Sequence, residues 1–224
     1  MRREGYYAQK LSAERLRRCY EIAPAPIQRY LRAEIEFVLE RVERGDRVLD
    51  LGCGYGRVMP ALAERDASVV GVDTSPESLT MAATLLPTPA CRLARMSADR
   101  LGFVDGAFDL VLCIQNGISA FKVDARALVD EAVRVTSPGG RVLLSTYSPK
   151  IWAARLEWFR AQAAEGLVGE IDEAATGDGV IACKDGFTAC TVTEVEFVSL
   201  TAHLPNRPSI HEVAESSLFC EIQL

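Results

Sequence analysis

Short apolar runs bounded by Gly, Pro and Asp recur through the middle of the chain, at residues 48–51, 68–73, 91–96, 107–113 and 141–147. Runs of this length read as buried strands, and the stretches between them carry helical spacing. Strand and helix therefore alternate, which predicts a parallel sheet covered on both faces. Ahead of the first strand, residues 12–22 and 26–43 read as two helices. In the second, Ile27, Tyr30, Leu31, Ile35, Val38 and Leu39 keep one stripe. Pro24 and Pro26 punctuate the join, and Gly45-Asp46 forms the turn into the first strand.

After Tyr147 the alternation breaks. Residues 149–165 read as a helix rich in aromatics, and the Gly- and acid-rich stretch 166–178 reads as irregular. Residues 180–183 and 187–191 flank Lys184-Asp185-Gly186, a hairpin signal. Thr193-Glu194-Val195-Glu196 is a capping box that opens a helix to about residue 204. Residues 209–213 and 217–222 close the chain as two strands. The expected organisation is one domain over 1–224. Residues 1–44 form N-terminal helices that act as a lid, 45–148 a core, 149–191 a helix-plus-hairpin insert on the substrate side, and 192–224 a last helix and strands.

Chemistry concentrates where the first strand ends, in Val48-Leu49-Asp50-Leu51-Gly52-Cys53-Gly54-Tyr55-Gly56. Glycines let the backbone turn sharply and approach a ligand with no Cβ in the way. The amides of the helix that follows face the ligand's negative end. A dinucleotide fingerprint requires G-x-G-x-x-G, and Arg57 stands where its third glycine would be. A phosphate-binding G-x-x-x-x-G-K-[ST] loop is absent as well.

The spacing D-x-G-x-G-x-G instead resembles the first motif of the class I S-adenosylmethionine-dependent methyltransferases. The later motifs follow in that family's order. Residues 68–73 end in Asp73, 19 positions after Gly54 and close to the spacing at which an acid reaches ribose hydroxyls. Ser97-Ala98-Asp99 follows the third strand, Phe108–Cys113 resembles the fourth, and Ser137-Pro138-Gly139-Gly140 resembles the turn into the fifth.

The resemblance implies a Rossmann-like, doubly wound α/β fold. Its seven-stranded, mostly parallel sheet has the order 3-2-1-4-5-7-6, an antiparallel last strand and helices on both faces. It implies S-adenosyl-L-methionine as cofactor, with Gly52, Cys53, Gly54 and Gly56 around the methionine part and Asp50 ordering the loop or holding the ammonium. Asp73 with Thr74 would take the ribose hydroxyls, and Ala98 and Asp99 the adenine. Asp73 has an alternative reading as the N-cap of the helix after Pro76, and Asp99 as a loop cap.

The loop after the fourth strand, Ile114-Gln115-Asn116, touches cofactor and acceptor in this family. Here it lacks the Asp/Asn-Pro-Pro-aromatic sequence used on nucleobase amines, a Pro-Cys nucleophile, and an acidic cluster for a metal. The expectation is a transferase acting on a small-molecule acceptor, with no metal and no nucleic acid. A non-catalytic cofactor-binding sensor and a protein or RNA methyltransferase are the alternatives. In-line displacement from a sulfonium has a neutral leaving group, so alignment and water exclusion supply most of the rate and no catalytic residue is assigned.

Tyr20, with Tyr7 and Tyr30, lies on the N-terminal helices, and Tyr20 is the expected cofactor-facing lid residue. Substrate candidates are Gln115, Asn116, Tyr147, Trp152 and Arg155. Trp152, Arg155 and Phe159 share a helix face by spacing, whereas Trp158 points elsewhere. His203 and His211 are expected at surface or capping positions.

Composition changes this picture little. A net charge of −6 disfavours a nucleic-acid partner. The start carries no apolar leader core, and no run reaches membrane-spanning length. The seven cysteines form no C-x-x-C pair and read as reduced thiols of a cytoplasmic protein, a monomer or homodimer.

Overall fold

The computed structural model describes residues 6–86 and 89–224. Of the expected N-terminal lid, residues 1–5 lie outside the described residues. In chain order the elements are α1 (Tyr6–Lys10), α2 (Ala13–Glu21), α3 (Ala25–Leu39), β1 (Arg47–Leu51), α4 (Met59–Ala63), β2 (Ser68–Asp73), α5 (Pro76–Leu85) and β3 (Cys91–Arg95). They continue as β4 (Phe108–Cys113), α6 (Gly117–Ala120), α7 (Ala125–Val135), β5 (Thr136–Tyr147), α8 (Trp152–Ala164), β6 (Ile181–Ala182), β7 (Thr188–Ala189), α9 (Glu194–Thr201), β8 (Ser209–Val213) and β9 (Ser217–Gln223).

Seven strands form one sheet in the order β3-β2-β1-β4-β5-β9-β8, with β9 antiparallel to β5. Counted within the sheet, this is 3-2-1-4-5-7-6, as the resemblance implies. Side chains alternate across it with the period of two that a strand imposes. Leu49, Val111 and Leu144 point into one core with Leu128 and Phe197. Their neighbours Val48, Leu110 and Leu143 point into the opposite core with Met59, Leu62 and Phe219. Each such buried aliphatic chain contributes about 1.5–3 kcal/mol relative to exposure. The fold is therefore set by the apolar runs themselves.

A third apolar cluster joins the N-terminal helices to the insert, through Cys19, Tyr30, Tyr147, Trp158 and Phe187. It stands over the carboxyl edge of the sheet. The strap of α1 and α2 is tied there by Arg15 Nη2, which donates to the carbonyls of Gly166 (2.6 Å) and Leu167 (2.9 Å). Tyr6 donates its hydroxyl to Asp185 at 2.7 Å. The hairpin is shorter than expected but in place, with Ile181 opposite Ala189.

Several boundaries differ from the sequence expectations. α3 stops at Leu39 rather than residue 43, because Glu43 and Asp46 close a turn in which the Glu43 amide donates to Asp46 Oδ2 at 2.8 Å. The helix after the glycine loop, α4, begins at Met59, and Pro60 sits in its first turn, where a missing N–H does no harm. α7 is capped by Asp124, whose carboxylate accepts from the Ala127 amide at 2.9 Å. No described helix is long and apolar enough to cross a membrane.

Candidate functional site

β1, β2 and β4 end side by side, Leu51 against Val72 and Asp50 against Leu112. The loop after β1 folds back over β2. The Gly52 and Cys53 amides both donate to the Val72 carbonyl, at 2.8 and 3.0 Å. Gly52, Gly54 and Gly56 all have positive φ, at +74°, +55° and +85°. Asp73, at the tip of β2, pins the loop: Oδ2 accepts from the Gly54 amide at 2.9 Å and Oδ1 from the Ser75 amide at 2.8 Å. Asp73 does not cap α5. Ser75 does, its Oγ accepting from the Ser78 amide at 3.1 Å, so the N-cap reading of Asp73 falls. Each Asp73 oxygen keeps a lone pair for another donor. Burial raises this carboxyl's pKa, while the Ser75 and Gly54 amides pull it back.

This corner opens on a cavity of about 590 Å³, within the range of small-ligand sites. Gly52, Asp73, Thr74, Ala98, Asp99, Ile114 and Gln115 form its sheet side. Asp99 accepts a short hydrogen bond from Ser97 Oγ. Tyr7, Leu11, Cys19 and Tyr20 of the strap face it, Tyr147, Trp158, Phe159 and Gln162 line the insert side, and Arg100, Phe121 and Lys122 are among the other residues on its wall.

Four buried polar atoms around this corner have no partner: Asp50 Oδ2, Arg57 Nε and Nη2, and Gln115 Nε2. Asp50 is 3 % exposed. Loss of hydration pushes its carboxyl up to about 7, Arg57 opposing and Asp73 adding to the rise. The Arg57 guanidinium lies 5.0 Å from the Tyr20 ring, and the Tyr20 hydroxyl donates to Gln115 Oε1 at 2.9 Å. An unpartnered carboxylate and an unpartnered guanidinium beside one glycine loop fit the two ends of an amino-acid zwitterion.

A carboxyl raised in the folded state stabilises it fully below the unfolded pKa, and the effect is lost as pH rises through the folded one. Stability of the unliganded wild type relative to Asp50→Asn is therefore expected to fall between about pH 4 and 7, by up to about 4 kcal/mol, and to stay flat above. Denaturant titrations of both proteins across pH measure this. A flat difference would remove the buried, uncompensated carboxyl from the account.

Gln115 and Asn116 both adopt left-handed backbone, φ +55° and +62°, which β-strand exits avoid unless held. Glu34 of α3 holds them. Glu34 is fully buried; one oxygen accepts the Gln115 amide at 3.0 Å and the other the Ser217 hydroxyl at 2.6 Å. Ser145 Oγ takes the same amide at 2.8 Å. Glu34→Ala is expected to cost about 3 kcal/mol, through two lost buried hydrogen bonds and a void; the Gln115 amide and Ser217 hydroxyl keep their second acceptors, Ser145 Oγ and the Thr146 carbonyl. Glu34→Gln keeps the volume and should cost less than half of that. Thermal unfolding of the two variants distinguishes them.

Other expected site residues stand apart from the cavity. Cys53, Gly54, Gly56 and Asp50 lie in or beneath the loop without lining the void. The Asn116 amide is consumed, donating to the Cys190 carbonyl (2.8 Å) and accepting from Thr146 Oγ1 (2.8 Å). Trp152 and Arg155 do not line the void either, whereas Trp158 does, contrary to the face assigned from spacing. The buried residues of α8, Arg155, Trp158, Phe159 and Gln162, follow a single i, i+3, i+4, i+7 stripe, but two of the four are polar, so hydrophobicity along the sequence does not mark that face. Trp158 is held by donating Nε1 to the Cys19 carbonyl at 2.7 Å. Tyr30 is core, stacked on Tyr147 at 4.9 Å. His203 pairs with Asp130 and His211 with Glu221, both away from the cavity.

Glu34 and Arg57 were not among the expected site residues. The signal for Glu34 was a carboxylate inside the apolar stripe of α3. For Arg57 it was a cation one residue past the last glycine.

Residues 48–140 match the family profile described as "Methyltransferase domain". An uncharacterized methyltransferase of Mycobacterium tuberculosis is 34% identical over 145 residues, 65% of this chain and 52% of that one. A ubiquinone biosynthesis O-methyltransferase of Pseudomonas aeruginosa is 33% identical over 105 residues, 46% of this chain and 44% of that one. This chain thus spans about half the length of the curated relatives it matches. Among solved structures, a SAM-dependent methyltransferase of Methanosarcina mazei shares the fold with a TM-score of 0.61 at 22% identity, over 84% of this chain and 96% of that one.

Proposed function

We infer the activity of this chain from the family of the domain it carries, the class I S-adenosylmethionine-dependent methyltransferases. The chain transfers a methyl group from S-adenosylmethionine to a small-molecule acceptor. One observation carries this reading. Asp73, fixed by two amides, faces the same cavity as Gly52, and buried Asp50 Oδ2 and Arg57 Nε and Nη2, on either side of the glycine loop, have no hydrogen-bond partner.

Asp73 accepts the ribose hydroxyls, Asp99 the adenine amine, and Asp50 and Arg57 take the ammonium and carboxylate of the methionine part. The bound cofactor supplies an activated methyl on a sulfonium sulfur. Tyr20 and Gln115, joined to each other, border the space between this end and the insert. They orient the two reactants for in-line displacement. The strap and α8 exclude water over the reacting atoms. Residues 1–44 and 149–191 are on this reading the acceptor side of a single catalytic unit.

The walls favour a small acceptor over a protein or RNA, because the chamber is roofed by Tyr7, Tyr20 and Trp158 rather than open and basic. The Pseudomonas relative, named for ubiquinone biosynthesis, agrees with a small acceptor. Calorimetry with S-adenosylmethionine and S-adenosylhomocysteine tests the cofactor half. Transfer of label from the tritiated methyl group into a metabolite extract tests turnover. Tight binding with persistent silence in the second assay would make the chain a cofactor sensor instead.

A further inference from the structure

Arg155 is buried to 1 % exposure with no ion pair among the described residues. Its Nη1 donates to the Gly179 carbonyl at 2.9 Å and its Nη2 to the Ala189 carbonyl at 2.8 Å, while Nε has no partner. The guanidinium stands 4.4 Å from the centre of the Tyr147 ring and 5.8 Å from that of Phe159, and both rings line the cavity. The titratable groups acting on it are Tyr147, Tyr30, Tyr7 and Cys190, and burial raises all three of those tyrosine hydroxyls, holding them neutral. Glu34, the carboxylate beside Tyr30, directs its oxygens at Ser217 and the Gln115 amide. A buried cation without a counter-charge is costly to keep, and in a low-dielectric wall its field reaches well past its contacts.

Among the described residues, the same end of the cavity offers no group that takes up a proton near neutrality. Burial holds the Tyr7 and Tyr20 hydroxyls protonated, and pushes the Tyr147 hydroxyl and the Cys19 thiol up to about 12. The carboxylates on the cavity wall, Asp73 and Asp99, belong to the nucleoside end, and neither histidine lines it.

We propose that the acceptor reacts as an anion, a planar aromatic or enolic hydroxyl already deprotonated, and that the field of Arg155 behind Tyr147 selects it. The proposal rests on the methyl-transfer reading above. A lone pair on the acceptor oxygen forms the O–C bond as the C–S bond breaks, and that bond's electron pair stays on sulfur. An anion and a sulfonium become a neutral ether and a neutral thioether, and no proton moves in the step. Charge is cancelled, which suits walls of Leu11, Tyr147, Trp158 and Phe159. An amine would emerge as a second cation facing Arg155, with no base to relieve it. A carboxylate seeking a forked contact finds both terminal nitrogens of Arg155 already bonded to carbonyls, so the residue acts by field and not by touch.

The test uses 4-nitrophenol and its methyl ether 4-nitroanisole with the protein saturated in S-adenosylhomocysteine. Nitrophenolate is expected to bind at least about tenfold tighter than the ether, and bound nitrophenol to ionise about one pH unit below its free value, read from its visible absorbance. Arg155→Met should lose both effects, and Arg155→Lys should keep the preference for the anion, with calorimetry of S-adenosylhomocysteine confirming that each variant is folded. The wild-type comparison of the two probes stands even where Arg155→Met does not fold. Equal affinities, ionisation at or above the free value, or no binding of either probe at millimolar concentration would each overturn the proposal while leaving cofactor binding intact. Failure of the wild type to bind S-adenosylhomocysteine overturns the methyl-transfer reading itself, and the acceptor proposal with it.

Discussion

Asp73→Ala is expected to weaken S-adenosylhomocysteine binding about 100-fold or more, the largest single effect on affinity in this protein. Hydrogen bonds to a charged acceptor contribute about 1.5–3 kcal/mol each, and on the proposed reading two ribose hydroxyls converge on this carboxylate. At about 1.4 kcal/mol per tenfold, even the lower figure for both gives roughly a hundredfold loss. The same substitution strips the acceptor from the Gly54 and Ser75 amides, so the glycine loop loosens as well. Asp73→Asn keeps the shape but turns an NH₂ toward one of those two amides, and should fall between alanine and wild type. Calorimetry gives the affinities and denaturant unfolding the stabilities. A loss confined to stability, with affinity unchanged, would show that Asp73 only braces the loop.

Gly52→Ala is expected to lose both stability and cofactor affinity. With φ at +74°, an alanine here is strained by about 1–2 kcal/mol before any contact is counted. Its Cβ would stand 2.2 Å from the ring of Phe121, which lines the cavity. The ring must leave, and the new methyl group occupies the ground over which a ligand approaches the loop. Adding Phe121→Ala removes the clash but not the backbone strain. The double variant should therefore recover part of the stability and little of the binding. A double-mutant cycle on both readouts separates the terms. Full recovery of affinity by the double variant would mean that the glycine serves only to make room for Phe121.

Much of the sheet was readable before any coordinates. β1, β2 and β4 are apolar runs too short for helices and bounded by turn residues, whereas β5 extends back from its apolar run through Ser137-Pro138-Gly139-Gly140, which the sequence marks as a turn. The corner was readable for a similar reason, since close approach of a backbone to a ligand leaves few residues but glycine. The acceptor side was much less so. α8 buries one stripe, Arg155, Trp158, Phe159 and Gln162, but Arg and Gln on it are polar, so its inner face carries no apolar signature from which a facing can be counted. Spacing from Trp152 therefore turns Trp158 away from a cavity that it lines, and Arg155 toward an acceptor although its terminal nitrogens bind the Gly179 and Ala189 carbonyls. Ser75 rather than Asp73 caps α5, a choice between neighbouring residues that depends on one turn's dihedrals. Glu34 was passed over because it acts across a sequence separation of 81 residues, on a backbone amide with no sequence mark of its own.

A crystal structure of the complex with S-adenosylhomocysteine is the most direct measurement. Both ribose hydroxyls should lie within hydrogen-bond distance of Asp73, with the amino-acid end between Asp50 and Arg57 and the sulfur directed at the Tyr20–Gln115 side of the chamber. A nucleoside bound elsewhere, or a chamber still closed over Gly52 with Asp73 touching nothing but its own loop, would contradict the assignment at its root.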